Sequence, residues 1–169
     1  MAIREIVTLP DPILRRKARP VTRFDSNLQT LIDDMIDTMR TAPGIGLAAP
    51  QVDVSERVIV VEYGGEEDEA APKKLYAMVN PELKNTSIET DVGVEGCLSV
   101  PGLLGEVERS QAVTVKGLNR RGQPMRIKAK GWLARIFQHE IDHLNGVVFT
   151  DRATKVWKPA PEEAAVDNV

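Results

Sequence analysis

Apolar residues recur at helical spacing through residues 26–41. Leu28, Leu31, Ile32, Met35, Ile36 and Met39 fall on one stripe, the pattern of a helix with one face toward a core. Asp25 or Ser26 can cap its start, and Pro43-Gly44 stops it. The period then changes. "RVIVVEY" (57–63) and "LYAMVNP" (75–81) are short β-rich runs, and "TVKGLNRRGQPMRIKAKG" (114–131) alternates on either side of a Gly/Pro/Asn turn, which predicts a hairpin. A second helix is predicted from near Gly131 to Gly146, a position suited to a left-handed terminator. Pro10, Pro12 and Pro20 keep the amino-terminal stretch irregular and extended, and its "LRRKARP" cluster reads as a solvated basic turn. "GGEEDEAAPKK" (64–74) is too polar to pack and reads as an exposed loop. The carboxyl end, "KPAPEEAAVDNV", is acidic and proline-broken, so residues 152–169 are expected to fray. Two helices and several short strands without β-α alternation predict an α+β fold, mostly antiparallel, in a single domain spanning residues 1–169.

Composition narrows the function. The 169 residues are 42% hydrophobic, ample for one real core. The formal charge is −3, so there is no basic excess to neutralise phosphates, and nucleic acid is not expected as a direct partner. No apolar run approaches the roughly 20 residues of a membrane span. "MAIREIVTLPDP" has neither a signal-peptide core nor a transit-peptide character, so the mature chain is expected to start near Met1 and to be cytoplasmic. A single cysteine, Cys97, excludes an internal disulfide. With two histidines in the chain, any Cys/His metal site must use all three residues.

Both histidines lie in "QHEIDHLNG" (138–146), four apart on the second helix. Residues at i and i+4 are neighbours on a helix surface, the spacing two nitrogen ligands need to share one ion. Glu140 is turned about 100° from His139, so it can flank the ion as a base without binding it. On the helical wheel Arg135, Gln138, Asp142 and Asn145 form a narrow polar arc; Leu133, Ile136, Phe137, Ile141 and Leu144 form a wide apolar one. A helix this apolar is expected to be central and covered on most sides. Cys97, in "EGCLSVPG" (95–102), supplies the third ligand, with Gly96 allowing close backbone approach. Three protein ligands leave a fourth position for water, the mark of a catalytic site. "GIGLAAPQ" (44–51) follows a helix and runs into Pro50, so it reads as a backbone wall beside an extended ligand and not as a dinucleotide loop. Gln51 ends it with a neutral side chain that can donate to a developing oxyanion; taken alone it is an ordinary loop residue.

"GIGLAAPQ", "EGCLSVPG" and "QHEIDHLNG", in this order and spacing, resemble the peptide deformylases, and the resemblance runs from "LPDP" to about Asp151. It implies a histidine helix packed among antiparallel sheets. The implied activity is removal of the formyl group from N-formylmethionine on nascent polypeptides, with formate released and transient ribosome association. It also implies metal ligation by Cys97, His139 and His143, with ferrous iron as the physiological ion and zinc, nickel or cobalt as other occupants. Glu140 would be the acid/base, Gln51 and the Leu98 backbone N–H would hold the oxyanion, and Gly46 would sit beside them. Glu95, Arg109 and Asp142 would form a charged layer fixing the cysteine loop against the helix. Ile45, Leu98 and Ile136 are candidates for an apolar methionine pocket. Two features depart from the family pattern. Leu104 stands in "PGLLG" where relatives often carry a basic or polar residue, and the acidic carboxyl end lacks the basic helix by which some relatives dock on the ribosome. Two other readings share the motif: a zinc peptidase, and a non-catalytic ribosome-associated module using the metal as a clip.

Overall fold

Asp25 turns the chain into its first helix. Its carboxylate accepts the Leu28 N–H at 3.0 Å, and α1 runs Ser26–Thr41 over the predicted stretch. The computed structural model describes residues 2–64 and 72–161. Within these, the strands are β1 (Gly46–Ala48), β2 (Val58–Tyr63), β3 (Lys74–Thr86), β4 (Thr90–Cys97), β5 (Val100–Ser110), β6 (Ala112–Leu118), β7 (Pro124–Lys130) and β8 (Lys155–Trp157). Helix α2 spans Gly131–Leu144, and a single turn, α3, spans Phe149–Arg152. The strands form two sheets, β1-β2-β3-β6-β7 and β4-β5-β8, and every pairing between them is antiparallel. The architecture is α+β, as expected.

Strand alternation decides which helix covers which face of the larger sheet. Leu47, Val58, Val60 and Val79 pack with Leu28, Ile32, Met35 and Met39 of α1. The alternate residues Ala48, Ile59, Val61, Met78, Val113 and Val115 pack with Ile136, Phe137, Ile141 and Leu144 of α2. Each of these large side chains contributes about 1.5–3 kcal/mol through burial. The polar side of α2 is not open to water: Gln138 bonds Ser110 on β5, and Arg135 bonds the Val107 and Asp91 carbonyls. Helix α2 therefore lies between the two sheets, buried from Ala134 through Leu144.

Both ends of the predicted second helix behave as its sequence suggests. Gly131 opens it, and beyond Leu144 the chain reverses at Gly146, whose φ of +76° suits glycine. Arg57 then closes the carboxyl end, donating to the Leu144 carbonyl at 2.9 Å and to Asn145 Oδ1 at 3.0 Å. The hairpin of 114–131 forms as β6 and β7. In "LRRKARP" the cations are solvated but Leu14 is fully buried beside a short 3-10 turn, Pro12–Arg15, so the segment is an anchor as well as a turn.

The expected fraying of residues 152–169 does not hold over the described part. Arg152 is tied to Asp142, and Lys155–Trp157 pair with Leu104–Glu106. Residues 162–169 lie outside the described residues, as do 65–71 of the expected loop. The same pairing accounts for Leu104: it is buried opposite Trp157.

Candidate active site

Strand β4 and helix α2 deliver the three candidate ligands from opposite sides. Cys97 ends β4 and is followed by the tight turn Leu98–Ser99 into β5; His139 and His143 stand one turn apart on α2. One ligating atom from each lies within 4.8 Å of the other two, and all three residues are buried. Cys97 Sγ is 3.4 Å from His143 Nε2, while His139 Nε2 is buried with no hydrogen-bond partner among the described residues. A thiolate and two imidazoles suit a first-row divalent cation, and the orphaned nitrogen is explained by one. The residues fit such an ion.

Glu140 is fully buried, and neither carboxylate oxygen has a hydrogen-bond partner among the described residues. Burial raises its pKa, partly offset by His139, to about 7. Gly46 of β1 faces this carboxylate so closely that a Cβ there would overlap Oε2 and lie 2.9 Å from Cδ. The stretch is a strand and a 3-10 turn (Ala49–Val52), not a loose loop, and the close neighbour of Gly46 is the Glu140 carboxylate.

Gln51 is held at both ends of its amide. Oε1 accepts the Ala48 N–H at 3.0 Å, and Nε2 donates to Ser99 Oγ at 3.1 Å and points at Cys97 Sγ, 3.6 Å away. Its NH2 group is therefore aimed at the cysteine side of the site. Leu98 is half-buried and packs toward the α1 side of the larger sheet, whereas Ile45 and Ile136 are buried in the cluster around α2. The three candidate pocket residues are not brought into one apolar cluster.

Behind the candidate ligands lies a buried chain of charges. Glu95 Oε1 accepts His139 Nδ1 at 2.8 Å and Arg109 Nη2 at 2.9 Å; Arg109 Nη1 donates to Asp142 Oδ2 at 2.6 Å. Burial alone would raise the Glu95 pKa, but its bonds to His139 and Arg109 hold it well below the usual carboxylate range. Burial likewise opposes a charged His139; the contacts with Cys97, Glu95 and Glu140 outweigh it and push its pKa up to about 10. His143, by contrast, is held below its ordinary value by burial and the neighbouring cations. Glu95 thus fixes the proton on His139 Nδ1 and turns Nε2 toward the site. Sequence reasoning missed Ser99, Arg152 and Arg135. Only Arg135 left a signal, its place on the polar arc of α2.

The family model for polypeptide deformylase matches residues 3–158. A peptide deformylase of Natranaerobius thermophilus is 52% identical over 158 residues, covering 94% of this chain and 97% of its own. One from Halothermothrix orenii is 50% identical, covering 92% and 97%. Among solved structures, the Thermotoga maritima peptide deformylase superposes with a TM-score of 0.84 at 43% identity, covering 92% of this chain and all of its own. The Acinetobacter baumannii enzyme bound to Met-Ala-Ser gives 0.83 at 40%, covering 89% and 98%. The chain belongs to the polypeptide deformylase family, metal-dependent hydrolases that remove the N-formyl group from the formylmethionine at the amino end of polypeptides.

Proposed function

We propose that Cys97, His139 and His143 hold one divalent ion, that ferrous iron is the physiological occupant, and that Glu140, Gln51 and the Leu98 N–H carry out deformylation around it. The observation that supports this most is the convergence of the three ligating atoms within 4.8 Å beside a buried, unpartnered carboxylate. When bound, such a cation supplies Lewis acidity, making water acidic and polarising a carbonyl. Glu140, with a pKa near neutral, takes the proton from the attacking water and returns it to the leaving amine as formate departs. Gln51 Nε2, held by Ala48 and Ser99, donates to the oxygen as it becomes negative, together with the Leu98 N–H. Gly46 leaves the room in which Glu140 stands.

The substrate is a nascent polypeptide with an N-formylmethionine, its methionine against Ile45 and Ile136. The Met-Ala-Ser bound to the Acinetobacter baumannii relative is the deformylated form of such a chain. Transient association with the ribosome and a cytoplasmic location go with a substrate made there. Among the described residues no helix is long and apolar enough to cross a membrane. Iron is supported by the family resemblance, since the ligand set suits zinc, nickel and cobalt too. Anaerobic purification with metal analysis, then stripping and reloading with each ion, tests the assignment. The ferrous form should be the most active and lose activity in air; a zinc form that equals it would overturn the iron proposal.

A further inference from the structure

We propose that Arg135 is a positioning residue for His139, acting through Glu95; the inference rests on the reading of His139 as a metal ligand. Arg135 lies one helical turn before His139, and Glu95 spans the two. Oε1 of Glu95 accepts from His139 Nδ1, while Oε2 accepts from Arg135 Nη1 at 2.6 Å and from Arg109 Nε at 3.0 Å. The carboxylate is thereby held on both oxygens and cannot turn about its Cγ–Cδ bond without losing a charged contact.

Arg109 grips both oxygens, Nε on Oε2 and Nη2 on Oε1 at 2.9 Å, but it is shared: its Nη1 serves Asp142, which also binds Arg152. Among the described residues Arg135 bonds no second carboxylate. Its other hydrogen bonds go to the Val107 carbonyl on β5 and the Asp91 carbonyl on β4, each at 2.8 Å. The guanidinium is therefore locked to the hairpin that carries Cys97 while its own Cα rides on the helix that carries His139. Gly93 is part of the device. A Cβ at that position would lie 2.8 Å from Arg135 Cζ, so any larger residue there must push the guanidinium aside. The side chain is 4% exposed, and its Cζ lies 5.5 Å from the centre of the Trp132 ring.

A staple that merely joined the hairpin to the helix would affect unfolding alone. A positioning residue also affects the ligand. Removal of Arg135 leaves Glu95 held by Arg109 alone, free to shift with it toward Asp142, and a shift of Oε1 from His139 Nδ1 turns His139 Nε2 off its aim. Outer partners of metal ligands are worth about 10–100-fold in affinity, and Arg135, one step further out, belongs at about 10-fold.

The test is Co2+ and Zn2+ affinity by competition with a chelator, together with the Co2+ ligand-field spectrum, on variants shown to be folded by circular dichroism. Arg135→Met should bind about 10-fold more weakly with an altered spectrum, and Arg135→Lys should recover part of the loss. Gly93→Ala displaces the guanidinium without removing its charge and should shift affinity in the same direction; it carries the test if Arg135→Met does not fold. Wild-type affinity and spectrum in both Arg135→Met and Gly93→Ala, with only a lower melting temperature, would overturn the inference. Cys97→Ala is the reference: if it binds Co2+ as tightly as wild type, the ligand assignment itself fails and takes this inference with it.

Discussion

Gly46 and Glu140 are in contact across the site in a way no larger residue permits: a methyl group on Gly46 would overlap the Glu140 carboxylate. The smallest residue of β1 thus sets where the Glu140 carboxylate of α2 stands. Gly46→Ala should push the carboxylate aside and lower kcat on the order of 100-fold, the cost of roughly 1 Å of misplacement at a reacting group. Metal affinity should stay within about twofold, because no ligand moves. Steady-state kinetics beside a metal titration separates the two effects. Full activity in this variant would mean that Glu140 does not work from the position described.

Metal removal should expose the ligand set. Adding Zn2+ to the stripped wild type at 100 times its dissociation constant should stabilise the fold by about 2.7 kcal/mol, visible as a rise in melting temperature. Cys97→Ala and His143→Ala should lose that rise. A variant that keeps it identifies a residue wrongly placed among the ligands.

The pH dependence of the stripped protein has a definite sign. The Glu140 pKa is raised from its ordinary 4.5 to about 7, so the folded state holds a proton that the unfolded chain releases. Its contribution is complete below about pH 4.5 and is lost as pH rises through 7. Other groups titrate in the same range, so the readout is a difference. Glu140→Gln, which never ionises, should gain stability over wild type by about 1–3 kcal/mol between pH 5 and pH 8. Denaturant unfolding at both pH values measures it, and parallel curves would show that the carboxylate is not desolvated as described.

Gln51 should separate orientation from binding. Gln51→Leu removes the Nε2 donor and leaves the Ala48 N–H without its acceptor. Loss of a single oxyanion donor costs about 100–1,000-fold in kcat, whereas KM should change little. An equal rise in KM with kcat unchanged would assign Gln51 to ground-state binding instead.

The histidine helix was legible because chain period and chemistry agree there: the apolar arc meets the larger sheet, and the i, i+4 histidines sit on its boundary. Cys97 followed by elimination. The β4–β5 hairpin was not read, and β4 shows why. It does not alternate: burial rises along the strand, from Val92, 62% exposed, to Glu95, fully buried. A buried Glu95 makes sense only beside Arg109, Arg135 and His139, which arrive from other elements. Likewise β8 comes from a polar, proline-flanked stretch whose pairing depends on the edge of β5. The split of Leu98 from Ile45 and Ile136 reflects the turn after Cys97, which sends Leu98 toward α1. Family membership decides against the peptidase and the metal-clipped binding module.

The most direct test of the whole account is formate release from an N-formylmethionyl tripeptide by the oxygen-free, iron-loaded protein, with Glu140→Gln as the matched control. The account predicts rapid release by the wild type and a loss of at least about 1,000-fold in the variant at unchanged metal content. Equal release by both would contradict the role given to Glu140, and no release from the fully metallated wild type would contradict the deformylase mechanism drawn from this site.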